Sequence, residues 1–446
     1  QKISSCAMSE KDPAVTSWRR VSLMVAAYLG VSLLLSSKVE EASKMVIDEE
    51  FHLPQGLAYC RGDWAHWEPK LTTPPGLYLL SALLAPALGC SERALRLSSL
   101  LLSAVGLAVL ARRGAARLAL LPPLCLLAQL YYTDAVALAV LLLTLELVRA
   151  RRPLGAAAAA ALSVLVRQTN VVWLAFCLAR LMLDAAVMTY KRNPFRNHYS
   201  AGEACSAVIF HLKTFFTHFF RRTPSADLKV MLSLLSAMAG FVVFVAVNGS
   251  IVLGDKAAHE ASIHVPQLFY FLLFYAAFSL PLLLSTMRED VRDCTRWWGT
   301  VTLQLCVCAL VVRYNTLVHP YLLADNRHYT FYAWSRWWGR YWWARYASVP
   351  LYVYVGRSAW RAGWRAGGAG LVVPFMLALV GALVPQRLLE PRYFVPPLVL
   401  LRLELPGPTP RAETLLYLLI NALTFYIFFT KEIKWTNYDH VQRLIW

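Results

Sequence analysis

Long apolar blocks separated by short polar segments dominate the pattern along this chain. Each block approaches the roughly 20 apolar residues that a membrane-spanning helix needs. The clear blocks are 21–36, 95–111, 118–131, 135–148, 171–187, 228–247, 267–284, 297–312, 371–384 and 415–429, and weaker ones are 154–166, 347–355 and 394–403. Backbone polar groups in hydrocarbon must pair within their own segment, so these blocks are predicted to be helices. The pattern predicts a single all-α polytopic membrane domain with about 12 to 13 transmembrane helices.

Positive charges lie between the apolar blocks. The 446 residues carry a formal net charge of +18, and 58% of them are hydrophobic. In a soluble protein this charge would suggest a nucleic acid partner, but arginines that flank apolar blocks are typical of cytoplasmic loops. We therefore expect the partner to be a lipid bilayer and not nucleic acid.

The alternation of charge predicts a topology. Lys11, Arg19 and Arg20 precede the first block and place the N-terminus in the cytoplasm, with the first span retained as an anchor. The basic segments are then cytoplasmic loops, namely 112–117, 149–152, 188–229, 288–296 and 357–365. The predicted lumenal loops are 37–94, 132–134, 167–170, 248–266, 315–345 and 385–392. Chemistry is expected in these loops, because they concentrate polar, aromatic and proline residues.

Three acidic residues, Asp48, Glu49 and Glu50, follow the first apolar block. One well-placed carboxylate suffices for inverting glycosyl transfer, because it removes the acceptor proton as the hydroxyl oxygen attacks the anomeric carbon. A phosphate leaving group needs cations and hydrogen-bond donors instead of an acid. Taken alone, the three acids are better explained as a solvated cap on a helix N-terminus.

The first predicted lumenal loop continues through Lys70, Thr72 and Thr73 to a rigid Pro-Pro-Gly turn just before Tyr78. The apolar stretch 77–88 is too short to span a membrane comfortably, so a helix in the interface or a re-entrant helix is expected.

Later predicted lumenal loops are rich in histidine, arginine and tyrosine. The residues are His259, His264 and Gln267 in one loop, Asp325, Asn326, Arg327, His328 and Tyr329 in another, and Arg392 with Tyr393 in the last. A metal site is conceivable, but the five-residue spacing of His259 and His264 does not stack on one helical face. Contacts to sugar hydroxyls and phosphate account better for this mixture, so no metal is expected.

Four of the nine cysteines, Cys125, Cys177, Cys306 and Cys308, fall inside apolar blocks and are interpreted as small packing residues. Cys60 and Cys90 both lie in the first predicted lumenal loop. They could form a disulfide there, although their spacing gives no reason to favour it.

Several of these motifs resemble one known family. Asp48-Glu49-x-Phe51-His52-x-Pro54-Gln55 and Pro69-Lys70-x-Thr72-Thr73-Pro74-Pro75-Gly76-Leu77-Tyr78 resemble the first lumenal loop of the terminal alpha-1,2-glucosyltransferases of asparagine-linked glycan assembly. The stretches 319–332, 385–394 and 441–446 are similar to that family too. The likeness is weak in the alanine-rich spans. Glu50 departs from it, because an apolar residue is expected there.

The resemblance implies a GT-C type fold in the endoplasmic reticulum membrane, with the active site facing the lumen. It implies dolichyl-phosphate glucose as the donor and the diglucosylated high-mannose dolichyl-diphosphate oligosaccharide as the acceptor. The last glucose would be added in alpha-1,2 linkage with inversion, and no cofactor is implied.

Roles for the candidate residues follow as hypotheses. Asp48 is the general base, with Glu49 as the alternative. The donor phosphate would be bound by Lys70, Arg327 and Arg392. Residues expected to position the glucose or the acceptor are His52, Gln55, Asp325, Asn326 and His328. The further expected substrate contacts are Thr72, Thr73, Tyr78, His259, His264, Gln267, Tyr329 and Tyr393.

Two other functions fit a chain with this many apolar blocks. A transporter would carry charges in broken helices at mid-membrane, whereas Glu146 and Asp184 lie near the ends of their blocks. A non-enzymatic accessory subunit would leave the residue types of the predicted lumenal loops unexplained. The transferase is therefore the preferred interpretation.

Overall fold

A computed structural model describes residues 16–191, 216–217, 219–256, 261–405, 407, 409–435, 438 and 440–446. His259 and most of the predicted loop 188–229 lie outside these residues. The α-helices are α1 Trp18–Ala42, α2 Glu49–Cys60, α3 Gly76–Leu88, α4 Glu92–Arg112, α5 Pro122–Leu127, α6 Thr133–Arg149, α7 Pro153–Val166, α8 Asn170–Lys191, α9 Ser225–Asn248, α10 Pro266–Phe278, α11 Leu280–Arg296, α12 Trp298–Asn315, α13 Pro320–Ala324, α14 Tyr329–Ala333, α15 Ala344–Ala347, α16 Val349–Leu383, α17 Val395–Glu404 and α18 Pro410–Thr430.

The described helices confirm an all-α polytopic membrane protein. Five spans are long and apolar enough to cross a membrane, namely α1, α4, α9, α15 together with α16, and α18. A sixth is added if α10 and α11, which bend by 103° at the break between them, form one span. Within the described residues no β-strand forms, although two isolated β-bridges occur near the C-terminus. The apolar pattern predicted about twice as many spans.

Two of the predicted spans are short buried helices. The block 118–131 is a 3₁₀ turn, Ala116–Leu120, followed by the six-residue α5. Pro122 and Pro123 interrupt this block, because neither can donate a backbone hydrogen bond. The block 394–403 contains the ten-residue α17, most of which is buried. Their apolar character therefore reflects packing inside the protein, as is usual for apolar stretches shorter than a span.

The arginines between 357 and 365 lie on a helix and not in the cytoplasmic loop that the charge pattern predicts. α16 is continuous through this region and breaks only at Gly368, where φ is 57°. Arg357 and Arg365 reach acidic residues of α11, with nitrogen–oxygen distances of 2.6 Å to Asp293 and 2.8 Å to Glu289. These pairs join α16 to α11; the Arg357–Asp293 pair is largely buried, whereas Arg365 and Glu289 are exposed.

A disulfide joins Cys60, at the end of α2, to Cys90, just before α4. The cysteine spacing gave no reason to expect this bond. The five cysteines described as free include Cys125 and Cys177, which are buried as predicted.

The Pro-Pro-Gly turn packs directly onto the end of α7. A Cβ atom on Gly76 would lie 2.5 Å from the carbonyl carbon of Leu165. The following helix α3 buries Leu77 and Tyr78 completely, against a core that includes Leu53 and Tyr131. The predicted helix at 77–88 is confirmed, and its close packing fixes the first predicted lumenal loop over the helices.

We expect Gly76→Ala to destabilise the protein by about 1–3 kcal/mol or more, because backbone atoms cannot move aside for the added methyl group. The measurement is thermal unfolding of the purified protein in detergent. Gly240→Ala is the control, since a Cβ there meets nothing within 4 Å. Equal melting temperatures for the two variants would contradict the close approach.

Candidate active site

A strained turn presents Asp48 at the start of α2. Ile47, a buried β-branched residue, has a φ of 45°, a conformation that such residues rarely adopt. The hydroxyl group of Tyr132 makes two hydrogen bonds to the backbone of this turn. It donates to the Val46 carbonyl at 3.0 Å and accepts from the Asp48 amide at 2.9 Å. The backbone of Asp48 is therefore fixed, while its side chain remains partly exposed.

Arg392 binds the Asp48 carboxylate although the two residues are 344 positions apart. Arg392 Nη1 lies 2.7 Å from Asp48 Oδ2, and Arg392 Nε donates to Glu390. The same Nη1 lies 3.9 Å from Asp134 Oδ2, and the other oxygen of Asp134 accepts from Arg167. These five residues form one charge network, in which three carboxylates surround Arg392.

This network sets the charge state of Asp48. Burial alone would raise the pKa of Asp48, but the nearby charge of Arg392, followed by those of His52 and His328, lowers that pKa to about 2. The Asp48 carboxylate is therefore ionised at neutral pH. Burial acts to lower the pKa of Arg392, but Glu390, Asp48 and Asp134 raise that pKa well above its ordinary value.

Glu49 is placed quite differently from Asp48. Its side chain is fully buried, and its oxygens lie 2.5 and 2.8 Å from Arg96 Nη2 and Nε. It also accepts backbone N–H groups of Val46 and Tyr131 at 3.0 and 2.8 Å. All of its acceptor positions point into the protein, which favours Asp48 over Glu49 as the base and gives Glu49 a structural position.

His52 lies one turn beyond Asp48, with its Nδ1 atom 2.7 Å from Tyr78 Oη. Burial lowers the pKa of His52 to about 4, against the opposing charge of Asp48. A neutral imidazole beside Asp48 can donate or accept a hydrogen bond, but it carries no proton to spare at neutral pH.

Gln55 and the threonines brace the first predicted lumenal loop. The buried Gln55 amide donates to the His66 carbonyl at 2.9 Å and accepts from the Glu68 amide at 2.8 Å. The Thr72 carbonyl accepts from Gln168 and from Leu253, and the Thr73 hydroxyl is buried. These contacts are made within the protein.

Lys70 lies on the outer part of that loop. Its ammonium is 5.0 Å from the centre of the Phe51 ring, and the residue is exposed. No contact of Lys70 with Asp48 or Arg392 is found in the part of the chain that the structure describes.

His264 and Gln267 hold the segment that leads to Arg392. The His264 amide donates to the Val384 carbonyl at 2.9 Å, and the Gln267 amide donates to the carbonyls of Gln386 and Leu388 at 3.0 and 2.8 Å. Both residues are almost fully buried. They position the Arg392 segment from outside the charge network.

The predicted cluster at 325–329 is bound by the C-terminal segment, of which residues 433–435, 438 and 440–446 are described. Asp325 binds Arg327 Nε and Nη2 at 2.9 and 2.8 Å. The Asn326 side-chain oxygen accepts from Trp435 Nε1 at 2.7 Å. His328 lies close enough to Asp48 to lower the pKa of that carboxyl group.

The same C-terminal segment continues the pairing beyond His328. The Tyr329 amide donates to the Ile445 carbonyl at 3.1 Å, and the Tyr329 ring centre is 5.0 Å from that of Trp446. Arg327 Nη1 lies 3.0 Å from Gln442 Oε1. Of the cluster, His328 is therefore the residue whose charge acts on Asp48, while Arg327 is paired with Asp325 and Gln442.

Sequence reasoning missed Asp134 and Arg167. Each lies in a predicted lumenal loop of only three or four residues, 132–134 or 167–170. The sequence does carry one signal for this pair: an acidic residue in one predicted lumenal loop and a basic residue in the next. Such short loops contain no longer motif that would mark them as functional.

A cavity with one charged end opens beside the network. Asp134, Arg167, Arg392 and Tyr393 line its polar end, and the Arg167 guanidinium lies 5.4 Å from the centre of the Tyr393 ring. The remaining walls are mainly apolar, formed by Leu124, Leu127, Trp173, Ala137, Ala382, Val395 and Pro396. The cavity has a volume of about 30 Å³, and its two guanidinium groups, which lie beside the carboxylate of Asp134, suit a small anionic group.

Within the described residues, no group of three or more histidine, cysteine, aspartate or glutamate side chains is arranged to hold a metal ion. The absence of a metal requirement remains a prediction.

Comparison of the sequence with known proteins identifies a family. The DIE2/ALG10 family model matches residues 42–403, a range that contains Asp48, Asp134, Arg167 and Arg392. The chain belongs to the DIE2/ALG10 family.

Curated relatives cover nearly the whole chain. A Drosophila melanogaster protein is 39% identical over 96% of this chain and 99% of its own length. A Mus musculus and a Homo sapiens protein are 35% and 33% identical, each over 93% of this chain and 96% of its own length. All three are named Dol-P-Glc:Glc(2)Man(9)GlcNAc(2)-PP-Dol alpha-1,2-glucosyltransferase. No solved structure matches the chain. The family resemblance stated from the motifs is thereby confirmed.

Proposed function

We propose that this protein transfers the terminal glucose from dolichyl-phosphate glucose to the diglucosylated high-mannose dolichyl-diphosphate oligosaccharide. The linkage formed is alpha-1,2, and the reaction takes place in the endoplasmic reticulum membrane at an active site facing the lumen. The observation that carries the proposal is the contact of an ionised Asp48 with Arg392, 2.7 Å apart, at the charged end of an apolar cavity. The names of the DIE2/ALG10 relatives support the choice of donor and acceptor.

Asp48 acts as the general base in a single displacement. Its carboxylate takes the proton of the acceptor hydroxyl, and that oxygen forms a bond to the anomeric carbon of the glucose. The bond between the anomeric carbon and the phosphate oxygen breaks at the same time, and its electron pair leaves with dolichyl phosphate. One displacement on the face opposite the phosphate inverts the anomeric configuration.

Arg392 and Arg167 stabilise the departing phosphate. Both guanidinium groups line the charged end of the cavity, and guanidinium groups bind phosphate oxygens in a fixed fork. A phosphate anion that shares Arg392 with Asp48 weakens the main interaction that keeps the pKa of Asp48 low. Donor binding thus makes Asp48 a stronger base when the base is needed.

The test is an assay with the purified protein, dolichyl-phosphate glucose and the diglucosylated lipid-linked acceptor, with the product glycan read by mass. We expect the glycan to gain one hexose, and dolichyl-phosphate mannose to give none. Transfer from the mannose donor alone would keep the mechanism and overturn the donor. No transfer from either donor by a folded sample, with and without divalent metal, would overturn the proposed function.

A further inference from the structure

Glu50, the acidic residue that departs from the family pattern, contacts the C-terminal segment. Its Oε2 atom accepts from the Tyr438 hydroxyl group at 2.6 Å, and the residue is exposed. A cavity of about 250 Å³ lies at this contact, between residues 44–50 and the C-terminal segment. Its lining includes Lys44, Glu50, Tyr438 and His440.

A second cavity of about 630 Å³ continues from the first, since Lys44 and His440 line both. We call the two together the C-terminal groove. Its charges are largely balanced, because Arg96 is paired with Glu49, and Arg93 lies 3.7 Å from Glu40. A balanced polar groove suits a neutral ligand with many hydroxyl groups better than a phosphate or a lipid tail.

Aromatic rings connect the C-terminal groove to the candidate active site. The Tyr438 ring centre lies 5.9 Å from that of Trp435 and 5.6 Å from that of His440. Arg327 packs over Trp435 at 4.1 Å, and Ile47, the residue directly before Asp48, lines the first cavity. Flat rings beside hydrogen-bonding side chains form a surface on which sugar rings can pack.

We propose that the C-terminal groove binds the glycan of the acceptor, a neutral oligosaccharide. The inference rests on the proposed function and adds where the acceptor lies. Asp48 is then reached from two sides, by the donor phosphate through the cavity of Arg392 and by the sugar acceptor through the groove of Tyr438. Glu50 and Lys44 bind sugar hydroxyl groups, and the ring of Tyr438 packs against a sugar face.

The first experiment compares Glu50→Gln and Tyr438→Ala with the wild type in the transfer assay. Each variant is expected to raise KM for the lipid-linked acceptor about tenfold, as loss of a hydrogen bond to a charged group typically does. KM for dolichyl-phosphate glucose should stay within about twofold of the wild-type value, a much smaller change than the roughly tenfold change expected when a hydrogen bond is lost. Glu289→Gln is the matched control, because Glu289 is exposed on α11 and neither it nor its partner Arg365 lines either cavity. A change in donor KM only, or no change in either KM, would overturn the proposal.

The second experiment uses the same oligosaccharide released from its lipid. It should inhibit the wild type competitively against the acceptor, and its inhibition constant should rise about tenfold in Tyr438→Ala. Direct calorimetric titration of the free oligosaccharide tests the groove even if the wild type transfers no glucose, so the two proposals can fail separately. If Tyr438→Ala fails to fold, Glu50→Gln, a substitution at an exposed residue, serves as the second variant. Equal oligosaccharide affinity in wild type and Glu50→Gln would overturn the proposal.

Discussion

Asp48→Asn is expected to lower kcat for glucose transfer by about 10² to 10⁴, because the amide keeps the shape of the side chain and cannot take the acceptor proton. Raising the donor or acceptor concentration should not restore the rate, since the substitution affects the chemical step and not substrate binding. Thermal unfolding should change little, because Asp48 is partly exposed and its backbone is held independently by Tyr132. The measurement is steady-state turnover with product analysis by mass.

The neighbouring acid provides the control. Glu49→Gln leaves Arg96 as a buried charge without its partner, which typically destabilises a protein by about 3–5 kcal/mol. We expect Glu49→Gln to melt at a lower temperature, while its folded fraction keeps near-normal kcat. The two variants thus separate chemistry from stability. Near-normal turnover of Asp48→Asn, together with an inactive but stable Glu49→Gln, would reverse the assignment of the base.

The contrast between these two acids shows what the sequence can and cannot predict. Spacing predicts that adjacent residues on a helix or turn face different directions, so one carboxylate could be catalytic and the other structural. Which is which depends on Arg96 and Arg392, which lie 47 and 344 residues from their partners. No local pattern encodes such distant pairings.

The fold, too, can be predicted from the sequence only in part. Apolar content correctly predicts helices and a membrane protein, because both follow from local hydrophobicity. It does not separate a helix that faces lipid from one enclosed by other helices, as α5 and α17 are, since both environments favour the same side chains. The arginines of α16 mislead for a related reason, because their acidic partners belong to another helix.

Asp48 and Arg392 lie in motif-bearing loops and can be proposed from the sequence, whereas the involvement of Asp134 and Arg167 is evident only from the tertiary structure. The partners that residues 325–329 bind are likewise evident only from the tertiary structure. Asp325 and Arg327 look like substrate ligands in the sequence, yet they bind one another and the C-terminal segment. A polar side chain in a functional loop can therefore serve either the substrate or the loop itself.

Arg392→Gln is expected to lower kcat by about 10² to 10³, as removal of one donor that stabilises a developing anion typically does, and to raise KM for dolichyl-phosphate glucose. Arg392→Lys should recover only part of this loss, because an ammonium group lacks the planar fork that reaches Asp48 and Glu390 together. KM for the acceptor should be little changed. Arg387→Gln is the matched control, since Arg387 lies in the same segment and is exposed.

The pH dependence of Arg392→Gln separates a direct electrostatic role from a loss of folding. Arg392 is the largest of the influences that lower the pKa of Asp48 to about 2, so its removal raises that pKa. A general base must be deprotonated to act. In the wild type, kcat/KM should therefore show no acidic limb from Asp48 until the pH approaches 2, whereas in Arg392→Gln the limb moves to higher pH. An unchanged pH profile in a folded variant with reduced activity would show that Arg392 does not control the pKa of Asp48.

The pKa of Asp48 should also rise in the wild type when the donor phosphate binds Arg392. The acidic limb of kcat, which reports the substrate-bound enzyme, should therefore lie at higher pH than the acidic limb of kcat/KM, which reports the free enzyme.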